Sequence, residues 1–154
     1  MENTPQVIME QFYDAFSRRN PADMNRYYTN NIYFSDPVFG LLDGDRVKEM
    51  WKFMCANTLE LSLLHKNFSD RGDHYFTYEW VANYRFLPTG KRVLLKAKAY
   101  MKIENGEIVE HSDAYSFYKW VRQAYGIPGW LLGWSSVFKK RVRRKMLKQI
   151  GNSF

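Results

Sequence analysis

Hydrophobic and polar positions change period once along this chain. In residues 5 to 18, Val7, Ile8, Phe12, Ala15 and Phe16 recur at helical spacing, with Thr4 placed to cap the helix and Pro5 in its first turn. A short second helix is predicted after Pro21, carrying Met24 and Tyr27 or Tyr28. Ile32, Tyr33 and Phe34 then read as a strand, stopped at Asp36-Pro37 because proline cannot donate to a ladder. Gly44 leads into a third helix over 46 to 55, in which Val47, Met50, Trp51 and Met54 keep i, i+3, i+4, i+7 spacing.

From Asn57 onward the spacing becomes a two-residue alternation, and four long strands fit between turn signals. The clearest covers 93 to 103, with Val93, Leu95, Ala97, Ala99, Met101 and Ile103 on one face and three lysines on the other. The strand before it sorts Phe76, Tyr78, Trp80, Ala82, Tyr84 and Phe86 to one side, and Pro88-Thr89-Gly90 joins the two. Asn105-Gly106 is a strong hairpin signal and reverses the chain into a last strand over 107 to 118. The expected fold class is therefore α+β, with three helices preceding a four-stranded antiparallel meander.

Composition narrows the picture. The 154 residues, 45% apolar, suit a single domain with a real core. Aromatics at 18% imply that a cavity would be walled by rings, which favours flat or apolar ligands. The lone Cys55 allows neither an internal disulfide nor a cysteine-based zinc site and reads as a small buried hydrophobe in a reducing compartment. Without a basic leader or a long apolar run, the expected location is cytoplasmic. The net charge is +7, yet after Asp113 the chain holds nine Lys or Arg and no Asp or Glu, so the rest, with 14 basic and 16 acidic residues, carries −2. Basicity confined to one end, without a nucleic-acid-binding motif, argues against a nucleic-acid partner.

The element order, together with Phe34-x-Asp36-Pro37-x-Phe39-Gly40 and His111-x-Asp113-x-Tyr115, resembles the nuclear transport factor 2-like superfamily, and within it the SnoaL-like and ketosteroid-isomerase-like branch. The resemblance implies a cone-shaped curved sheet, an α+β barrel whose N-terminal helices enclose a pocket, and a homodimer formed through the outer sheet face. It assigns 1–118 to the SnoaL-like domain and 119–154 to a basic amphipathic C-terminal helical extension of the same domain. Members include isomerases, cyclases, hydrolases, dehydratases and non-catalytic binding proteins, so fold does not decide function. Ketosteroid isomerase pairs an Asp base with a Tyr and a protonated Asp at the enolate oxygen. Matching on Asp-Pro puts Asp36 at the base, but Phe12 falls at the tyrosine position, with Tyr13 one residue away and expected to point elsewhere, and Ala99 falls at the second Asp. That reaction by that mechanism is therefore not expected.

His111, Asp113, Tyr115 and Phe117 share a strand face by period, and the resemblance turns that face into the pocket. Polar groups on an aromatic wall need hydrogen-bond partners, so Asp36, His111 and Asp113 are the candidate catalytic residues, as base, acid or relay. The alternative is a satisfied polar network, or for Asp36 a turn former before proline. Phe12, Tyr13, Tyr28, Phe34, Trp51, Trp80, Tyr84, Ala99 and Tyr115 are candidate ligand contacts around a small apolar molecule. His65 and His74 lack partners at metal-ligand spacing, and no phosphate loop or Rossmann fingerprint is present, so neither metal nor cofactor is expected.

At the C-terminus, Trp134, Val137, Phe138, Val142, Met146 and Ile150 make an apolar stripe on a helix otherwise rich in Lys and Arg. Such a helix suits an anionic membrane surface, but packing of the stripe against the cone or a dimer mate is the preferred reading. Three functional readings remain: a cofactor-free acid/base enzyme of isomerase, cyclase or hydrolase type; a non-catalytic binding module whose tail meets a membrane or an acidic partner; and, last in order, an accessory role resembling nuclear transport factor itself.

Overall fold

A computed structural model of the chain describes residues 3–151. Helix α1 (Pro5–Ser17) starts as its sequence dictates: Thr4 accepts a hydrogen bond from the Val7 N–H, and Pro5 occupies a first-turn position where no donor is needed. The short α2 (Pro21–Asn25) is followed by strands β1 (Tyr28–Asp36) and β2 (Gly40–Asp43). Helix α3 (Asp45–Asn57) leads into the meander β3 (Thr58–Gly72), β4 (Tyr75–Phe86), β5 (Lys91–Glu104) and β6 (Glu107–Ala114). Three helices close the chain: α4 (Phe117–Tyr125), α5 (Ile127–Leu132) and α6 (Ser136–Gly151).

The six strands form one curled, unclosed sheet in the order β2-β1-β6-β5-β4-β3. The meander is antiparallel as its turns require, but β1 pairs with β6 in parallel, so the sheet is mixed. Curl arises partly along β3, whose register with β4 slips between Leu59 and Ser62 and again between Lys66 and Ser69. Glu60 and Asn67 sit in those slips at positive φ, 53° and 63°. Bulges of this kind bend and twist a strand. The concave face carries the predicted inner positions of β4 and β5, all buried from Tyr78 to Phe86 and from Val93 to Ile103. Phe12, Tyr13 and Phe16 of α1 fill it from the other side.

Four details depart from the sequence reading. Tyr28 opens β1 rather than closing α2, because the chain has already left the helix at Arg26. The Asp36-Pro37 stop is followed by a return strand, β2, too short to show a period of its own. The last strand ends at Ala114, and Phe117 begins α4, capped by Ser116 accepting from the Lys119 N–H. The C-terminal stripe divides: Val142, Met146 and Ile150 are buried, whereas Trp134 precedes α6 and is 78% exposed, and Val137 is 66% exposed. Burying three such side chains contributes about 1.5–3 kcal/mol each, enough to seat α6 on the core.

Candidate functional site

The site grows from the junction of β1 and β6. Parallel register sets Phe34 beside His111 and Ser35 beside Ser112, which brings the end of β1, and hence Asp36, next to the end of β6. Asp36 Oδ1 accepts from the backbone N–H groups of Val38 (3.0 Å) and Phe39 (2.6 Å), tying the turn into β2, while Oδ2 accepts from the Tyr115 hydroxyl at 3.0 Å. Burial pushes the Asp36 carboxyl up to about 6 against the lowering effect of the Phe39 N–H, and the charge of Asp113 raises it further. The Tyr115 hydroxyl is held well above its ordinary range, mainly by burial and then by Asp36.

Behind this carboxyl lies a second polar group. His111 and Asp113, two apart on β6, point the same way and are 2% and 4% exposed. Asp113 Oδ1 receives three donors: His111 Nε2 at 2.9 Å, the Trp80 indole at 3.2 Å and the Tyr13 hydroxyl at 3.4 Å. His111 Nδ1 lies 2.7 Å from the Tyr28 hydroxyl, which accepts from the Trp51 indole at 2.9 Å. An indole N–H can only donate, so every bond is satisfied when Tyr28 passes its own hydrogen to Nδ1 and His111 carries its proton on Nε2 toward Asp113. The result is a directed chain, Trp51 to Tyr28 to His111 to Asp113. Burial drives the Tyr28 and Tyr13 hydroxyls well above their usual range, so both remain proton donors.

A cavity joins the two groups. It is walled by Asp36, Asp113 and Tyr115 on the polar side and by Trp51, Trp80 and Tyr84 among the rings. The cavity volume is only about 30 Å³. Of the residues expected from sequence to meet a ligand, Trp51, Trp80, Tyr84 and Tyr115 line it, as do Asp36 and Asp113. Phe12, Tyr13, Tyr28, Phe34, Ala99 and His111 do not; they stand one layer behind. Tyr13 does not point away, as its place beside Phe12 suggested: its hydroxyl reaches both His111 Nε2 (3.3 Å) and Asp113. Phe12 packs its ring edge-on to His111, and Ala99 pairs with Asp113 across the sheet.

Several wall residues were not singled out from sequence. Met50 and Met54 of α3, Phe16 of α1, Trp120 of α4 and Met146 of α6 also line the cavity. Trp120 donates its indole N–H to the Tyr84 hydroxyl at 3.0 Å. Arg143 of α6 donates to the carbonyls of Pro37 (3.0 Å) and Val38 (3.1 Å), fastening that helix over the Asp36 turn. The regular apolar spacing of Met146 signalled burial but not what it would bury against. Among the described residues, no three of His, Cys, Asp and Glu sit close enough together to hold a metal ion.

Residues 9–111 match the model of the SnoaL-like domain family. The chain belongs to that family. The matched span stops short of Asp113 and of all three C-terminal helices. No curated protein matches the chain in sequence. Among solved structures, it is similar to a hypothetical protein with ketosteroid isomerase-like fold from Catenulispora acidiphila, in complex with trimethylamine, at 17% identity and TM-score 0.70, covering 82% of this chain and 96% of that one. It is also similar to a Bacillus subtilis protein provisionally called an isomerase, at 15% identity and TM-score 0.72, with the same two coverages of 82% and 96%. A third, from Xanthomonas campestris and provisionally called a polyketide cyclase, has 14% identity and TM-score 0.65, covering 77% of this chain and 95% of that one. At such identities these likenesses establish the fold alone.

Proposed function

We propose that this SnoaL-like protein takes a small apolar molecule with a polar handle into the cavity and moves a proton on it without a cofactor. The observation that carries the reading is the Asp36 carboxyl, raised to about 6 and opening, beside the Tyr115 hydroxyl, onto the apolar cavity that Asp113 also lines. A base works best when its affinity for protons lies near the working pH, and an ordinary surface Asp is too weak for that task. Asp36 would take the proton, and Tyr115, whose hydroxyl hydrogen rests on Asp36 beforehand, would turn that hydrogen to the oxygen on which charge develops as Asp36 becomes protonated. His111, held behind Asp113 by Tyr28, positions that second carboxylate. The provisional names of two structural neighbours, an isomerase and a polyketide cyclase, are consistent with this reading.

A base in an apolar site can be tested with 5-nitrobenzisoxazole, a carbon acid whose ring opens on removal of one proton. The rate should rise with pH through a midpoint near 6, as Asp36 ionises, and fall about 10²-fold in Asp36→Asn. Equal rates in the parent, Asp36→Asn and Asp113→Asn would overturn the catalytic reading. A second reading, a binding protein without chemistry, is favoured by the structural duty of Asp36 in its turn. It predicts quenching of Trp51 and Trp80 fluorescence by planar apolar compounds with no turnover.

A further inference from the structure

We infer that the C-terminal helices form a docking platform for an anionic membrane surface. This inference is independent of the proton-transfer reading. The platform is not the apolar stripe of α6, which is buried, but the outer side of α5 and the turn after it. Ile127 is 74% exposed, Trp130 56%, Leu131 65%, Leu132 48% and Trp134 78%, within eight consecutive residues. Isolated apolar residues on a surface need no explanation, but five large ones side by side mark an interaction site.

Their exposure is built in. Gly129 lies so close to α4 that an added Cβ would come within 2.3 Å of the Val121 carbonyl oxygen, and one on Gly133 would meet the Val121 side chain at 2.7 Å. The glycines press α5 onto α4, and the opposite side, with its large residues, has to face outward. The platform is also fixed in place: the Arg122 guanidinium stacks over the Trp130 ring at 4.7 Å, the Tyr118 hydroxyl donates to the Trp130 carbonyl, and the Trp134 indole donates to the Leu131 carbonyl at 2.9 Å.

Charge selects the occupant. Val137, Arg141, Arg144 and Lys148 follow one another at i, i+4, i+7, i+11 and share the exposed side of α6, the helix that follows the platform in the chain. Lys140, Arg143, Arg144 and Lys148 also line a shallow groove around Leu147. No Asp or Glu follows Asp113. Tryptophans and leucines beside a polybasic stripe match both layers of an anionic bilayer: the rings sit at the headgroup boundary and the cations meet the phosphates. A folded acidic protein or a nucleic acid would satisfy the cations but would leave the two tryptophans and two leucines without an apolar partner.

The test is sedimentation of the full-length protein with phosphatidylcholine vesicles, with and without phosphatidylglycerol. Binding is expected only to the anionic vesicles, to fall with added salt, and to shift tryptophan emission to the blue. Arg141→Glu/Arg144→Glu/Lys148→Glu should weaken it by about 100-fold or more, from three lost surface cations at roughly fivefold each. Trp130→Ala/Leu131→Ala/Trp134→Ala should weaken it by about tenfold or more while leaving circular dichroism unchanged, because all three side chains are already exposed. Equal sedimentation with neutral and anionic vesicles would overturn the inference. So would anionic binding that survives the apolar triple variant undiminished, which would indicate a site for soluble polyanions instead.

Discussion

The Asp36 carboxyl makes a prediction that needs no substrate. Its proton affinity in the folded chain is raised from an ordinary 3.8 to about 6, chiefly by burial. The folded state therefore holds that proton more tightly than the unfolded chain. The resulting stabilisation is fully present below about pH 4 and is lost as pH rises through about 6. Two units correspond to about 3 kcal/mol at 1.36 kcal/mol each, and partial exposure of the side chain reduces the expected effect to about 1–2 kcal/mol. Asp36→Asn keeps the shape, retains an oxygen for the Val38 and Phe39 N–H groups, and carries no charge to desolvate. The variant should be more stable than the parent at pH 8 by about 1–2 kcal/mol and should hold no such advantage at pH 4. Urea unfolding at pH 4, 6 and 8 measures the difference directly, and carbon-13 NMR of the carboxyl gives the midpoint. Parallel pH dependence in the two proteins, or a larger advantage for the variant at pH 4 than at pH 8, would refute the reasoning.

Further expectations concern the residues around that carboxyl. Tyr28→Phe strips an acceptor from the Trp51 indole and a donor from His111 Nδ1, leaving two buried groups unpaired, and should cost about 2–4 kcal/mol in chemical denaturation. Tyr13→Phe removes only bonds of 3.3 and 3.4 Å to groups that keep other partners, and should cost about 1 kcal/mol or less by the same measurement. Met146→Ala should cost about 2–4 kcal/mol and enlarge the cavity, seen as tighter binding of bulkier planar probes. On the outer sheet face, Tyr33, Leu41, Tyr75 and Tyr100 surround one exposed depression, and sedimentation at micromolar concentration should return twice the 18.4 kDa chain mass.

The sheet was legible because one face of it is wet and the other is not: Val93 to Ile103 alternates without a break, and the structure buries that same set. Helices α1 and α3 were legible from period and caps. What escaped lacks a period. β2 has four residues, and its identity comes from pairing with β1, not from its own pattern. The parallel pairing of β1 with β6 joins segments far apart in sequence, and local spacing carries no trace of it. Candidate site residues were sorted by face correctly on β6, but depth could not be read: His111 and Asp113 share a face, yet only Asp113 reaches the cavity. Tyr13 reads in sequence as pointing away, but its hydroxyl reaches His111 and Asp113, because helix angle relative to Phe12 says nothing of how far a phenol extends. The closing of the cavity by Met146 and Trp120 depended on where the C-terminal helices fold back, which their amphipathic pattern leaves open.

In sequence Asp36 reads as either a turn former or a base, and its hydrogen bonds are compatible with both. One oxygen is fully engaged by the Val38 and Phe39 N–H groups, which fixes the carboxyl in place; the other meets Tyr115 at the cavity wall. A turn that immobilises one oxygen orients the other without spending side-chain entropy when a ligand arrives. The same turn is gripped from outside by Arg143 on α6, through the Pro37 and Val38 carbonyls. Movement of α6 would therefore shift the turn that aims Asp36 as well as withdraw Met146 from the cavity. At about 30 Å³ the cavity has to widen to admit a larger molecule, and α6 is one of its walls. On the proposed reading, entry of a ligand and alignment of Asp36 would both depend on α6, which lies outside the span matched by the family model.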